Sequence, residues 1–434
     1  MVKKVGVAIL GLGVVGGGTY QTLVKHREFY KQTQNVDVTV ESVLVRSGKR
    51  VKELGIPEEL VAKTIEEVVA NPAVDIVVET IGGCGVAKEY ILAALNEGKS
   101  VVTANKELIC KYSHELERVA KRNSCGLYYE ASCVGGVPII RTLLDGVQAN
   151  RITEMMGIIN GTTNYILTKM TQEGAEYDEV LKEAQRLGYA EADPTADVEG
   201  HDATYKLSIL ASMAFHTKVP YTKIFREGIS EVGRKDIQFG KELGYTLKLL
   251  AIAKNTEKGI EVRVHPTFVR DRHPLAAVND SYNAVFLRGD AVGDVMLYGR
   301  GAGAFPTASA VVSDVIFAAT HADVKYSTFK NTANADPNVN FISDFESAYY
   351  IRLFVDDKAG TLTKITGIFA RYGISIVVVD QKGRADPTAT GDAARVPLVV
   401  ITHKTRENSI KKAVAKINET DLAIVRSVIR VEDQ

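Results

Sequence analysis

The run VGVAIL followed at once by GLGVVGGG, residues 5–18, constrains this chain more than any other segment. VGVAIL is continuously apolar, which fits a strand buried on both faces of a parallel sheet. Gly11, Gly13 and Gly16 then give GxGxxG spacing, and TYQTLVKHREFYKQ continues as a helix. Glycines at these spacings permit a tight turn and close approach of a pyrophosphate. The N-terminus of the helix adds free N–H groups and the positive end of its dipole. Gly11, Leu12, Gly13, Val14, Val15 and Gly16 are therefore the candidate phosphate cradle. A glycine-rich structural turn is the alternative, but the strand before and the helix after favour the nucleotide.

The same rhythm of strand and helix runs on. DVTVESVLV (37–45), VDIVVET (74–80) and KSVVTA (99–104) read as strands, with helical stretches at 87–98 and 113–124 between or after them. GLYYEASCVGG (126–136) reads as one more strand entering a glycine-rich bend. Alternation of this kind predicts βαβ units in a doubly wound sheet, a Rossmann-type α/β domain over residues 1–136. From 137 to 305 the texture is α+β, the expected substrate and dimerisation domain. A helix over 306–322 is expected to return to the first domain, and 325–347 reads as a polar linker. Residues 348–434 give strand, helix, strand, strand, helix, strand, the ferredoxin-like order, and read as an independent domain.

At 434 residues the chain calls for two or three domains. Lys+Arg and Asp+Glu balance at 53 each, so neither a nucleic acid nor a membrane surface is an expected partner. No run of about twenty apolar residues predicts a membrane span. The opening MVKKVGVAILGLGVVGGG superficially resembles a secretion signal, but no small-x-small cleavage pattern leads into a polar mature start. Cys84, Cys110, Cys125 and Cys133 show no CxxC or Cys/His metal spacing, which fits free thiols in a reducing cytoplasm.

The second strand closes on Arg46, followed by Ser47, Lys49 and Arg50. An acidic residue there would suit the ribose of NAD, whereas this basic cluster suits a 2′-phosphate. NADP(H) is the expected cofactor, with NAD(H) an open alternative. Thr80 and Lys106 close two further strands, and carboxyl ends of strands are where such sheets bind ligands. Lys106 is thus either a surface charge or a group facing the nicotinamide.

DPTADVEGHDATYK (193–206) crowds carboxylates and a lysine ahead of the apolar run LSILASMAF. Asp197 is placed to cap a helix starting near Val198. On that helix Asp202, Lys206, Ile209, Leu210 and Met213 share a face. An exposed i,i+4 ion pair would give the same spacing. Gly200, Glu191 and Asp193 beside the apolar continuation favour a substrate pocket instead, able to hold an ammonium group and exchange a proton. Glu199 reads as solvated, and Asp193 as shaping the turn with Pro194.

AQRLGYAEADPTADVEGHDATYK (184–206) resembles the signature of the homoserine dehydrogenases, supported by VVTANK (101–106), YEASCVGGVPII (129–140), GIINGTTNYILTKM (157–170) and YGRGAGAFPTASAVVSD (298–314). The resemblance runs from end to end, and the terminal domain resembles an ACT domain with its glycine turn at Gly360. It implies reversible, NAD(P)-dependent reduction of L-aspartate 4-semialdehyde to L-homoserine, serving threonine, methionine and isoleucine synthesis. By matching positions it makes Lys106 and Lys206 the proton-transfer lysines. Glu191 and Asp202 would hold the substrate's amino group with support from Asp197, while Tyr189 and Thr162 would line the pocket. Gly188 and Gly303 would lie against the cofactor.

The resemblance further implies a structural sodium ion on Glu130, through its carboxyl or carbonyl, and on main-chain oxygens of Cys133, Gly135 and Val137. Hard cations prefer oxygen, which leaves the Cys133 thiol incidental. A homodimer or homotetramer and a threonine effector are also implied. Two departures stand out: Thr204-Tyr205 where the family often has Ala-Arg, and the polar insertion GRADPTATGDAAR (383–395) in the terminal domain. Two other readings stay open. One is an aspartate-semialdehyde dehydrogenase-like enzyme using the Cys133 thiolate; the other is a non-enzymatic amino-acid and redox sensor.

Overall fold

The computed structural model describes residues 2–321, 338–381, 383 and 395–432. Residues 325–337 of the expected linker and nearly all of the 383–395 insertion therefore lie outside the described residues. The chain forms two compact units. One is Met1–Gly161 with Asp202–Ile224 and Ser281–Asn338; the other is Thr162–His201 with Phe225–Asp280 and Val339–Gln434.

In the first unit six parallel strands lie in the order Val61–Ala62, Val36–Leu44, Lys3–Leu10, Ile76–Glu79, Ser100–Thr103, Leu127–Tyr128. The strand order reverses beside Lys3–Leu10, which opens a crevice at the carboxyl ends of that strand and of Ile76–Glu79. VGVAIL is fully buried, as its apolar run predicts. The helix Ala304–Thr320 starts just ahead of Pro306 and packs Val311, Val315 and Ala319 into the core formed by Val5, Val7, Ile9, Val38 and Val78. It also explains why the loop carries glycines beyond GxGxxG. A Cβ on Gly18 would stand 2.6 Å from Ala304 O, so the absence of a side chain lets the Val14–Gln34 helix approach Ala304–Thr320. The same unit holds an antiparallel set, with Tyr282–Gly289 between Ile152–Ile158 and Gly293–Arg300.

Three local expectations change. GLYYEASCVGG is strand only at Leu127–Tyr128, because from Glu130 the chain turns through a 3-10 segment, Glu130–Ser132. The cause is Asp314, whose Oδ2 accepts the Glu130 N–H at 2.8 Å and draws the backbone out of the ladder. The helix expected from 113 begins at Lys106 (Lys106–Arg122), capped by Asn105 Oδ1 on the Leu108 N–H at 3.1 Å. Asp197 does not cap the helix of Lys206. It lies within a separate short helix, Thr195–Val198; Gly200 then turns at φ +76°, and the long helix is His201–Ala214.

In the second unit the helices Gly161–Glu173 and Tyr177–Arg186 accompany a long antiparallel hairpin, Tyr245–Thr256 with Gly259–Arg270. The terminal domain shows its expected order: Glu346–Asp356, Thr361–Arg371, Ile376–Gln381, Arg395–Thr402, Glu407–Asn418, Ala423–Glu432. It is not independent, however. Its last strand adds in parallel to the hairpin, with Thr267, Phe268 and Val269 opposite Arg430, Val431 and Glu432.

Buried ion pairs accompany this seam. Arg263 meets Glu432 at 2.5 Å. Arg352 is bidentate to Asp236 at 2.6 and 2.9 Å, and Arg430 spans Glu227 and Glu407. Breaking one partner of such a pair costs about 3–5 kcal/mol. Periodicity along the chain carries no trace of these long-range pairings.

Candidate active site

Lys106 owes its position to a string of buried groups at the ends of two sheet strands. Glu79 Oε2 accepts the Thr103 hydroxyl at 2.6 Å, and Thr103 Oγ1 accepts the Asn105 N–H at 3.0 Å. Asn105 Nδ2 donates to Gly83 O at 2.6 Å. The other Glu79 oxygen takes the N–H groups of Ile81 and Gly82. Lys106 follows as the first residue of its helix, with its side chain 43% exposed.

Its ammonium reaches Asp202 Oδ1 at 2.9 Å. Asp202 Oδ2 receives Lys206 Nζ at 2.7 Å and Asn160 Nδ2 at 2.9 Å. Lys206 Nζ also donates to Ile159 O at 2.8 Å. Burial by itself would raise the Asp202 carboxyl. The charges of Lys206 and Lys106, with the hydrogen bonds from Lys206 and Asn160, outweigh it and hold the group well below the usual carboxylate range. The result is one buried anion between two ammonium groups, with net charge +1. An ammonium has three donors, and the protein contacts described for Lys206 use two. Such a group can bind a developing alkoxide and supply a proton to it.

Glu191, Asp197, Tyr189, Thr162 and Gly188 all belong to the second unit. Glu191 and Tyr189 are exposed, and the Glu191 main chain is held by Gln185 Nε2 at 3.1 Å. Tyr189 packs on Tyr165 with ring centres 4.7 Å apart. The Thr162 hydroxyl donates to Tyr189 O at 2.6 Å, so it fastens that loop to the start of a helix. Asp193 Oδ1 accepts the Thr195 N–H at 3.1 Å. Glu199 is half-buried, and its Oε1 accepts the Ser230 hydroxyl at 2.6 Å. It is therefore not the solvated acid expected; its partner is 31 residues downstream and invisible to local pattern.

At the glycine loop Gly11 turns at φ +91°, a value only glycine adopts freely, and its N–H donates to Leu44 O at 2.9 Å. A Cβ on Gly16 would lie 2.0 Å from Gly11 O, and nothing lies within 4 Å of one on Gly13. The first turn of the helix has no acidic residue, and no side chain caps it. The site is thus an open cradle of N–H groups suited to a pyrophosphate. Leu12 points into the core, Val15 is half-buried and Val14 is exposed, so these three offer main chain to a ligand rather than specific side chains. Thr80 Oγ1 ties the turn by donating to Leu10 O and Gly11 O. Arg46 is exposed just past its strand, and Arg50 Nε donates to Leu12 O at 3.1 Å. Gly303, at φ +122°, precedes the Ala304–Thr320 helix.

At the bend, the Glu130 carboxylate accepts the N–H groups of Ile140 at 2.9 Å and Arg141 at 2.7 Å. Asp314 takes Arg141 at 2.9 Å. Burial, with Asp314 nearby, pushes the Glu130 carboxyl up to about 7; burial also pushes Asp314 up to about 6. Two buried acids beside one arginine suit a hard cation. With the Glu130 carboxylate engaged, its ligands would be main-chain oxygens, of which Cys133, Gly135 and Val137 carry three on this bend. Cys133 itself is fully buried, with its thiol pushed up to about 12 chiefly by burial. Neither property suits a nucleophilic thiolate.

Sequence reasoning overlooked Asn160, Asn105 and the Glu79–Thr103 pair. The signal for Asn160 was present, since it stands directly before the glycine in GIINGTTN.

Three family models match the chain: homoserine dehydrogenase over residues 138–316, the homoserine dehydrogenase NAD-binding domain over 11–130, and the ACT domain over 349–421. A homoserine dehydrogenase of Bacillus subtilis (strain 168) is 41% identical over 437 residues, covering 99% of both chains. The crystal structure of a homoserine dehydrogenase from Thiobacillus denitrificans is similar with a TM-score of 0.92 and 41% identity, again over 99% of both chains. A hyperthermophilic archaeal homoserine dehydrogenase in complex with NADPH matches 75% of this chain and 100% of its own, with a TM-score of 0.64 and 30% identity.

Proposed function

This chain belongs to the homoserine dehydrogenase family, NAD(P)-dependent oxidoreductases acting on a CH–OH group, and we propose that its chemistry runs through Lys106, Asp202 and Lys206. The single observation that carries the proposal is the buried Asp202 carboxylate gripped by one lysine on each oxygen. The substrate pair is L-aspartate 4-semialdehyde and L-homoserine.

When bound, the nicotinamide cofactor supplies hydride to C4 of the aldehyde and takes it back from the alcohol. The protein's share is the proton. In reduction, the third N–H of the Lys206 ammonium meets the C4 oxygen and donates as the alkoxide forms; in oxidation the neutral amine takes the hydroxyl proton. Asp202 fixes the ammonium group and offsets its repulsion with Lys106. Asn160 and Ile159 O hold the remaining geometry. Preorganised donors of this kind act on the charge that develops in the transition state.

Glu191, with Asp197 in support, is assigned to the substrate's ammonium, and Thr162 and Tyr189 to the wall beside it. The cradle of residues 11–16 takes the pyrophosphate, with Thr80, Lys106, Gly188 and Gly303 along the cofactor. The exposed Arg46 supports a preference for NADPH over NADH. The acid-rich bend of Glu130, Cys133, Gly135 and Val137 supports a structural sodium ion. Homodimers or homotetramers, a cytoplasmic setting, a threonine effector on the terminal domain and service to threonine, methionine and isoleucine synthesis complete the reading.

The test is direct. Purified protein with L-aspartate 4-semialdehyde should consume NADPH, and L-homoserine with NADP+ should restore it. Nicotinamide binding without turnover in either direction would leave only a sensor.

A further inference from the structure

We propose that Lys111, held between the rings of Tyr205 and Tyr221, is a positioning residue for the reaction. It fastens the helix that starts at Lys106 to the helix that carries Asp202 and Lys206. The proposal rests on the roles given to Lys106, Asp202 and Lys206 above.

Lys106 needs such a fastening. Its ammonium meets Asp202 Oδ1 at the end of a flexible four-carbon stem that is 43% exposed. A half-exposed ion pair adds little rigidity of its own. Thr103, Glu79 and Asn105 fix where the Lys106–Arg122 helix begins. Its direction relative to His201–Ala214 takes a second point of attachment farther along the helix.

Lys111 supplies that point. It stands five residues beyond Lys106, about 7.5 Å along the helix axis. Its Nζ lies 5.4 Å from the centre of the Tyr205 ring and 5.9 Å from that of Tyr221. Both are inside the reach of about 6 Å for a cation over an aromatic face. Tyr205 follows Asp202 by three residues, so the two side chains lie on one side of His201–Ala214. The helices therefore meet there at two places, Lys106–Asp202 and Lys111–Tyr205. The ring at 205 is the departure from the family pattern seen in the sequence, and Lys111 gives it a use.

Both sides of the contact are prepared for it. The two rings meet edge to face, with centres 5.5 Å apart. The Ser208 hydroxyl donates to Val219 O at 2.6 Å, and Ser212 Oγ accepts the Val219 N–H at 2.9 Å. The chain that leads through Pro220 to Tyr221 is thus tied to the same helix as Tyr205. On the other side, Glu107 Oε1 takes Lys111 Nζ at 2.5 Å. That bond raises the ammonium above its usual range, so Lys111 stays a cation at neutral pH. Partners fixed in advance lower the entropy lost in holding a long side chain. A contact of the same chemistry joins this helix to Val86–Asn96, where Lys88 Nζ lies 4.1 Å over the Tyr112 ring and 2.8 Å from Glu115. It leads away from Asp202 and serves as the control.

The experiment is steady-state homoserine oxidation by the full chain carrying Lys111→Met, Tyr205→Leu, both together, Lys111→Arg, Lys88→Met or Lys206→Ala. Lys111→Met and Tyr205→Leu should each lower kcat by roughly 10- to 100-fold, with the KM for homoserine within about twofold. The double variant should fall no further than the worse single one, because one contact is lost once. Lys111→Arg keeps both the charge and the ring contact and should stay within about threefold of wild-type kcat. Lys88→Met should stay within about twofold. Additive losses in the double variant, or a loss in Lys88→Met equal to that in Lys111→Met, overturn the proposal by reducing it to general helix stability. Near-normal kcat in Lys111→Met beside an inactive Lys206→Ala overturns the proposal alone. Near-normal turnover in Lys206→Ala overturns the reading of the site, and the proposal with it.

Discussion

Lys206 Nζ lies 2.7 Å from Asp202 Oδ2, one helical turn apart on His201–Ala214, and both side chains are nearly withdrawn from water. An exposed pair at this spacing would contribute only a few tenths of a kcal/mol. Here Asn160 and Ile159 O complete the hydrogen bonding, and Lys106 adds a second cation on the other carboxylate oxygen. The arrangement fixes where an ammonium donor points, which is what a proton transfer at an alcohol carbon requires.

Asn160 should matter to turnover although it carries no proton. Asn160→Ala removes a donor from a buried carboxylate, a bond worth about 1.5–3 kcal/mol. We expect kcat for homoserine oxidation to fall by roughly 10- to 100-fold, with the cofactor Kd within about twofold. An unchanged kcat would mean that Asp202 needs no third partner.

Cofactor choice should follow Arg46. Arg46→Ala should raise the KM for NADPH by about tenfold or more and leave that for NADH nearly unchanged. Parallel steady-state assays with both coenzymes check this. Equal effects on the two would assign the residue a general role in the loop.

Gly18 should tolerate no side chain. A Cβ there would stand 2.6 Å from Ala304 O, a backbone atom that cannot swing aside. Gly18→Ala should destabilise the chain by about 1–3 kcal/mol, read as a lower urea midpoint. Glycine tolerance at the exposed Gly48, with nothing within 4 Å of an added Cβ, is the control.

Lys248 is buried, with its ammonium on Val278 O, Asn164 Oδ1 and Asn279 Oδ1, and burial brings it down to about 8. Between that value and the unfolded value of about 10.4, the unfolded chain binds more protons than the folded one. Stability from this group therefore rises with pH across the window, by up to about 3 kcal/mol. Lys248→Met should remove that rise, measured as the difference in urea midpoints between the two proteins from pH 8 upward. Parallel curves for both would contradict the assignment.

How much of this was legible depends on range along the chain. GLGVVG between a strand and a helix, and the four-residue spacing of Asp202 and Lys206, are local patterns, and local periodicity reports them. Lys106 could be placed at a strand end but not joined to Asp202, 96 residues on, because that contact belongs to the tertiary fold. Ser230, 31 residues beyond Glu199, falls under the same limit. Asp197 was misplaced as a cap because Gly200 breaks what reads as one helix. The seam between Gly259–Arg270 and Ala423–Glu432 depends on ion pairs such as Arg263–Glu432, 169 residues apart, which no window can show.

The most direct measurement is single-turnover hydride transfer in Lys206→Ala, with NADPH affinity measured on the same protein. If Lys206 supplies the proton to the C4 oxygen, transfer to L-aspartate 4-semialdehyde should slow by roughly 10²- to 10⁴-fold, while NADPH binds within about twofold of wild type. Hydride transfer at near-normal rate in Lys206→Ala would contradict the account.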